Sequence, residues 1–185
     1  MPWTGNFKNA SYEERAKFLL SYLKMRPKPF DKKDPFSKGY KSVLAFIVGS
    51  LCVRNEHRYI SKDAKAQLKG ISNPNCNYIY NKKAHPEYKN LTNEHTIPVC
   101  VIVDYLLDTN NDSWTEESLA DFLEKVSGIA IVTMDENKKL NDAGLRSKLP
   151  AGTTLADILN DETKHAIRYK VAGFVVTKPK DGAKA

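Results

Sequence analysis

The stretch 128–144 constrains the fold more than any other part of this sequence. Residues 129–132 form a short apolar run that follows a glycine, which is typical of a buried strand. Thr133 and Glu136 have the spacing of a capping box, in which the two side chains satisfy backbone N–H groups at the start of a helix. Gly144 matches the glycine that commonly ends a helix. The sequence therefore predicts a strand that passes directly into a helix at Thr133.

Capping signals and apolar spacing predict most of the other elements. Ser11 with Glu14, and Ser113 with Glu116, have the capping-box spacing and should each open a helix. Pro98 suits the first turn of a helix over residues 99–107, although the β-branched valines there leave a strand as the alternative. Further helices are predicted at about 39–55, 61–68, 154–159 and 162–169, and strands at 78–80 and 171–177.

These elements predict an α+β fold, with a helix-rich single domain and a small β-sheet. A length of 185 residues suits one domain. We expect residues 1–177 to form that domain. Residues 178–185, rich in Lys, Gly and Ala, are expected to form a basic flexible C-terminal tail.

The chain carries an excess of positive charge, with 29 Lys and Arg against 22 Asp and Glu and a net charge of +7. Such an excess favours nucleic acid, DNA or RNA, as a partner, because cations displace the counterions condensed on phosphates. It is equally typical of a soluble basic surface. Aromatic residues among the lysines of segment 24–41 could stack on bases, or could tuck into the core. The candidate nucleic-acid-binding residues are Lys28, Lys32, Lys33, Arg58 and Arg168.

The cysteines and the apolar runs favour a cytoplasmic protein with no membrane partner. Cys52, Cys76 and Cys100 are odd in number and include no Cys-x-x-Cys pair, which argues against a zinc ribbon or a thioredoxin-like motif and favours an intracellular chain with free thiols. The N-terminus lacks the apolar core of a signal peptide. The longest apolar-rich run, 43–53, is too short to cross a bilayer. The oligomeric state is left open.

Residues able to do chemistry are crowded around Glu94 and His95. Histidine can take or give a proton near neutral pH, and a carboxylate can orient the ring or hold a divalent cation. Pro98 fixes the chain just after the pair. On a strand the two side chains would point to opposite faces, whereas on a turn they could converge. The alternative is a hydrogen-bonded loop histidine beside a surface glutamate.

The pattern acid-His-x-x-Pro, followed by a strand ending in Thr and a helix with Asn in its first turn, resembles the HNH (His-Me finger) nucleases. The stretch 129–139 is similar to the second half of that domain. The resemblance implies a metal-assisted, nucleic-acid-cleaving phosphodiesterase with a divalent metal such as Mg²⁺. It implies that His95 is the catalytic general base and that Glu94 and Asn137 lie on the metal side. The chain departs from the family in having Glu for the more usual Asp, and in a longer interval between His95 and Asn137.

Two other functions are compatible with the sequence. A metal-independent ribonuclease could use His95 with His165 and Arg168, because the last two lie three residues apart and would share a helical face. A non-catalytic basic protein could bind nucleic acid or a protein partner, with the Glu94–Pro98 region only structural. The sequence contains no P-loop, dinucleotide-binding fingerprint, nucleophile elbow or zinc-protease motif.

Overall fold

The three-dimensional structure is a computed structural model that describes residues 10–31, 33–52, 58–69, 71, 79, 82–109 and 111–178. Its helices are α1 (Tyr12–Leu23), α2 (Pro35–Leu51), α3 (Lys62–Gln67), α4 (Val99–Asp108), α5 (Glu116–Val126), α6 (Met134–Asp142), α7 (Leu155–Asn160) and α8 (Ile167–Val171). Its strands are β1 (Arg58–Ser61), β2 (Leu91–His95), β3 (Ile129–Thr133) and β4 (Val176–Thr177). Short 3-10 turns lie at Pro86–Tyr88, Asn111–Ser113 and Glu162–Ala166. The predicted α+β class, with many helices and a small sheet, is confirmed.

The four strands form one mixed sheet in the order β2-β3-β1-β4. β3 pairs in parallel with β1 and antiparallel with β2, and β4 pairs antiparallel with β1. All five residues of β3 are buried, because apolar side chains cover both faces of this central strand. A strand covered on both faces is expected to be continuously apolar, which is what 129–132 shows.

The two faces of the sheet belong to different apolar clusters. On one face, Ile129 and Ile131 pack with Ile60, Tyr88 and Leu91. On the other, Ala130 and Val132 pack with residues from α6, α8 and the chain that follows them. These residues are Leu140, Leu145, Tyr169, Phe174 and Val176.

A separate helical core is formed by α1, α2, α4, α5 and α7. In this core α1 packs against α5, and α2 packs against α4. Arg15 of α1 is fully buried, and its guanidinium donates to the carbonyl oxygens of Ala10 and Leu51. This arginine therefore ties the start of α1 to the end of α2 without exposing its charge.

Local capping signals place most helix starts correctly. The predicted capping boxes at Ser11 and Thr133 are confirmed, and Ser61 caps α3 through the N–H of Ala64. The box predicted at Ser113 is wrong. α5 is capped two residues later by Thr115, which pairs with Ser118. Both positions have a hydroxyl followed three residues on by a polar side chain, so spacing alone could not separate them.

Several element boundaries differ from the predictions. α2 begins at Pro35 rather than near 39, because Asp34 caps it and proline is favourable in a first turn. The helix predicted over 99–107 is confirmed, since α4 spans Val99–Asp108, and the alternative strand is not observed there. The strand predicted at 171–177 is confined to Val176–Thr177, since α8 continues to Val171 and Gly173 then turns the chain with a φ of 85°.

Two predicted segments fall almost entirely outside the described residues. The strand predicted at 78–80 lies outside them except for Ile79, and the tail predicted at 178–185 lies outside them except for Lys178. β1 and β2 were not predicted as strands. Within the described part of the chain, no helix combines the length and the apolar character needed to cross a bilayer.

Candidate active site

The candidate site is built on β2, β3 and α6. β2 and β3 pair antiparallel along their whole length, and α6 follows β3 without a loop and packs back on both strands. The intervening segment 96–128 contains α4 and α5, whose apolar side chains belong to the helical core. The long interval between His95 and Asn137 therefore leaves a β-β-α unit intact.

Glu94 and His95 leave β2 on opposite faces of the sheet. Glu94 lies opposite Ala130, which packs on the α6 side. His95 lies opposite Ile129, which packs on the other side. Directly opposed residues of an antiparallel pair share a face, and neighbours along a strand alternate. Glu94 therefore does not orient the His95 ring, and the two groups would have to act separately.

Glu94 is a half-buried carboxylate without a hydrogen-bonding partner among the described residues. Burial raises its pKa above the ordinary value, because a carboxylate loses hydration when it leaves water. The positive charges of Arg168 and Arg146 act in the opposite direction. An ionised Glu94 would thus be stabilised by any further cation that reached it.

His95 is held in its neutral form. Burial is the main reason, and the Arg168 charge adds to it, so that the pKa of the imidazole falls to about 4. Its Nδ1 atom is inaccessible to solvent and has no hydrogen-bonding partner in the described part of the chain. A neutral imidazole with an unused ring nitrogen has the protonation state that a general base requires.

Asn137 lies on the flank of α6 that faces β2. Glu136, one residue earlier, is buried and accepts hydrogen bonds from Ser61 Oγ at 2.5 Å and from the Thr133 N–H at 2.8 Å, so it lies toward β1. Leu140 points into the cluster between helix and sheet. Since a helix turns about 100° per residue, Asn137 lies on the opposite side of Leu140 from Glu136. Asn137 is half-buried and makes no hydrogen bond within the described residues.

Arg168 is buried, with 1% of its surface exposed. Its guanidinium donates to the carbonyl oxygens of His95 at 2.6 Å and Thr96 at 3.4 Å. It also donates to the carbonyl oxygens of Leu145, at 3.0 Å from Nε, and of Arg146, at 3.4 Å. This side chain ties the end of β2 to the segment after α6. The prediction that Arg168 binds nucleic acid or completes a catalytic site is corrected, because no N–H group remains for a phosphate.

His165 is also buried, and both ring nitrogens are occupied. Nε2 lies 2.9 Å from the Lys125 carbonyl oxygen, which can only accept, so Nε2 carries the hydrogen. Nδ1 lies 2.7 Å from Thr96 Oγ1. Gly128 leaves room for this contact, because a Cβ there would overlap Thr96 Oγ1 and lie 3.2 Å from His165 Nδ1. His165 is therefore buried and bonded to neighbouring groups, as Arg168 is.

The other predicted basic residues lie elsewhere. Lys28 and Lys33 are exposed in the segment between α1 and α2, and Lys28 lies 3.9 Å from Asp112. Lys32 and the side chain of Arg58 lie outside the described residues. In this segment Phe30 packs edge-on against buried Tyr40, as expected for aromatics that tuck into the core, whereas Phe36 is 71% exposed. No described contact joins these lysines to Glu94.

A divalent cation is compatible with Glu94 and Asn137. The described residues contain no cluster of three or more His, Cys, Asp or Glu side chains that could hold a metal. Mg²⁺, however, commonly takes only one or two carboxylates and completes its shell with water and substrate phosphates. Two half-buried oxygen donors without partners on the α6 side of the sheet fit that requirement. Arg168 and Arg146 compete for the charge of Glu94, and they also favour the approach of a phosphate.

Arg146 is a residue of this site that the sequence did not single out. It follows the glycine that ends α6, and its side chain is exposed. Its charge reaches Glu94, although the two residues are far apart in the sequence. Two cations, Arg146 and Lys148, within four residues of the glycine that follows the helix, were the available signal. Only the fold shows that this segment returns to β2.

A cleft of about 290 Å³ lies beside His165. Tyr59 stacks on the His165 ring with centroids 6.1 Å apart, and Lys178 forms an ion pair with Glu162 at 2.8 Å at the same place. Glu124, Lys125 and Ser127 complete the lining. Tyr59 of β1 and Glu94 of β2 both lie opposite Ala130 of β3, so the two side chains share a face of the sheet. The cleft, which Tyr59 lines, and Glu94 therefore lie on the same face.

Comparisons with protein-family models, with curated proteins and with solved structures find no match to this chain. The function is therefore inferred from the side chains of the β2-β3-α6 unit and from the charges around them. These side chains are a carboxylate, a neutral imidazole, an amide and two guanidinium groups. The Thr96 hydroxyl, which lies 2.7 Å from His165 Nδ1, is fully buried and therefore does not offer a substrate an activated nucleophile.

Proposed function

We propose that the chain is a metal-assisted phosphodiesterase that cleaves nucleic acid. Glu94 and Asn137 would hold a divalent cation such as Mg²⁺, and His95 would be the general base. The observation that supports this most strongly is the β2-β3-α6 unit. It places a carboxylate and an amide, both without partners, on the same side of an antiparallel strand pair.

Glu94 and Asn137 would hold the cation, which would supply neutralisation of the charge that develops on the phosphate. His95 would take the proton of the attacking water as the imidazolium, which requires its enclosed Nδ1 atom, on the face of β2 opposite Glu94, to become accessible when the substrate binds. Arg168 fixes the backbone at His95 and so holds the end of β2 in place. The pKa of about 4 keeps His95 neutral across the physiological range but makes it a weak base. A nearby phosphate anion would raise that pKa and strengthen the base.

The metal-independent ribonuclease has less support from the geometry. It requires His165 and Arg168 to contact the substrate, whereas both are buried and bonded to neighbouring groups. The non-catalytic alternative predicts binding without turnover. A cleavage assay with metal and with a chelator separates this alternative from the proposed function.

The metal dependence of cleavage tests the proposed function. Purified protein is incubated with single- and double-stranded DNA and RNA, with Mg²⁺ or Mn²⁺ and with a chelator. We expect cleavage that requires the metal, and we expect Glu94→Gln to require a higher metal concentration or to lose activity, because it removes the carboxylate proposed to bind the metal. Glu87→Gln, on the exposed 3-10 turn, is the matched control and should behave like the wild type.

Two results would contradict the proposal. Cleavage that persists in the chelator would favour the metal-independent scheme. Binding of every nucleic acid without turnover in any metal would make the chain a non-catalytic basic protein.

A further inference from the structure

The segment that follows α6 is turned sharply back toward the sheet. Gly144 adopts a φ of 68°, a conformation that favours glycine, and its N–H donates to the Asn141 carbonyl oxygen at 2.9 Å. The N–H of Leu145 donates to the Leu140 carbonyl oxygen, also at 2.9 Å. Leu145 is buried in the cluster beneath α6. The backbone at the next residue, Arg146, is therefore held in a fixed position.

The backbone of this segment is also held by hydrogen bonds from two other elements. Arg168 donates to the carbonyl oxygens of Leu145 and Arg146, and Cys100 Sγ donates to the Ser147 carbonyl oxygen at 3.0 Å. Pro150, a few residues on, is buried. These contacts come from α8 and α4, two elements that are distant in the sequence. The segment is thus a fixed platform for its exposed side chains.

Arg168 connects Arg146 to the end of β2, because its guanidinium donates to the carbonyl oxygens of Arg146 at 3.4 Å and of His95 at 2.6 Å. The side chain of Arg146 itself is exposed. Its guanidinium makes no hydrogen bond or ion pair within the part of the chain that the structure describes. Arg168, the other cation that acts on Glu94, has its N–H groups directed at backbone carbonyls. A phosphate that approached Glu94 would therefore find free N–H donors only on Arg146 among these two. A guanidinium offers a phosphate two parallel hydrogen bonds.

We propose that Arg146 binds a backbone phosphate of the nucleic-acid substrate and positions the strand beside Glu94. This inference rests on the proposed function. Lys148, exposed on the same segment, extends the positive surface by one more charge. Arg146 is a positioning residue here, because it fixes where the substrate lies, and His95 and Glu94 carry the chemistry.

Arg146→Ala and Arg146→Lys test this role, with Lys17→Ala as the matched control. Lys17 is an exposed cation on α1, a helix that packs in the helical core and not on the sheet. Binding of a labelled oligonucleotide is measured without divalent metal over a range of salt, and KM and kcat are measured with metal. For Arg146→Ala we expect about tenfold weaker binding and a salt slope smaller by about one. KM should rise more than kcat falls.

Arg146→Lys should keep the salt slope and recover part of the affinity, because it keeps the charge but loses the two-bond geometry. Lys17→Ala should match the wild type in KM. Circular dichroism and melting confirm that each variant folds, as expected for exposed side chains.

The failures of the two proposals are distinguishable. His95-dependent cleavage with a wild-type KM and salt slope in Arg146→Ala would overturn the role of Arg146 alone. An equal loss of binding in Lys17→Ala would also overturn it, since the positive charge would then act diffusely. Weak binding specific to Arg146→Ala without turnover in the wild type would support the phosphate contact and overturn the nuclease function. Absence of both binding and cleavage would overturn both.

Discussion

Burial acts in opposite directions on the pKa values of Glu94 and His95. It raises the pKa of the carboxyl group and lowers that of the imidazole to about 4, so both residues are pushed toward their neutral forms. Residues whose pKa values are shifted by burial in this way often lie at functional sites. The motif around these residues was visible in the sequence. Their separation onto two faces was not, because it depends on whether 91–95 is a strand or a turn.

Arg168 and Arg146 show why the rest of the site could not be predicted. A pattern of cations three or four residues apart says which residues share a helical face, but not whether that face is buried. α8 is short and turns Arg168 inward, where backbone carbonyls from two distant segments meet it. The importance of Arg146 depends on the same long-range packing.

Glu94→Gln should not destabilise the protein at neutral pH. The folded-state pKa of Glu94 lies above its ordinary value, so the stability associated with its protonated form is fully present below the ordinary pKa. That stability is lost as the pH rises through the folded-state pKa. A glutamine cannot ionise, and the variant should therefore be at least as stable as the wild type at neutral pH. Denaturant unfolding of both proteins at neutral pH and near the ordinary pKa of Glu measures this.

A marked loss of stability in Glu94→Gln at neutral pH would contradict the account. It would mean that the ionised carboxylate is a structural partner of Arg168 rather than a group awaiting a cation. Glu87→Gln, at an exposed position, controls for the substitution itself.

Helix starts were predictable because capping is local, whereas β1 and β2 were not. The side chain of Thr133 accepts from the Glu136 N–H at 3.1 Å, within one turn. β2, by contrast, contains Asn, Glu and His and only one buried apolar residue, Leu91. It is a strand because β3, far along the chain, supplies its hydrogen-bonding partner.

Gly128→Ala should destabilise the junction between α5 and β3. The added Cβ would overlap Thr96 Oγ1 and crowd His165 Nδ1, and both neighbours are buried. Overpacking of this kind commonly costs about 1–3 kcal/mol. Gly39→Ala in the interior of α2 is the control, since nothing lies within 4 Å of that position. It should stabilise by about 0.5–1 kcal/mol, the usual penalty of glycine in a helix.

Denaturant unfolding of the two alanine variants measures the difference. Equal effects would show that Thr96 and His165 move aside readily. The contact between Thr96 and His165, on the 3-10 turn before α8, would then be looser than the structure describes.

At the scale of the whole molecule, the chain contributes in turn to the sheet and to the helical core. α4 and α5 leave the sheet between β2 and β3 and complete the helical core, and the chain then returns to pair β3 with β2. The fold class could be predicted because composition, capping and apolar runs all indicate helices around a short sheet. The assembly of Glu94, Asn137 and Arg146 depends on this return, which no local pattern specifies. The net charge of +7 suits a phosphate-rich partner but does not locate its surface.

The most direct test of the account is the turnover of His95→Ala against that of His85→Ala. His85 is a second half-buried histidine, on the 3-10 turn before β2 and outside the proposed machinery. Cleavage rates of both variants are measured with metal, after circular dichroism shows that each is folded. The account predicts that His95→Ala loses about 10²- to 10⁴-fold in rate while His85→Ala keeps the wild-type rate. A folded His95→Ala that cleaves at the wild-type rate would contradict it.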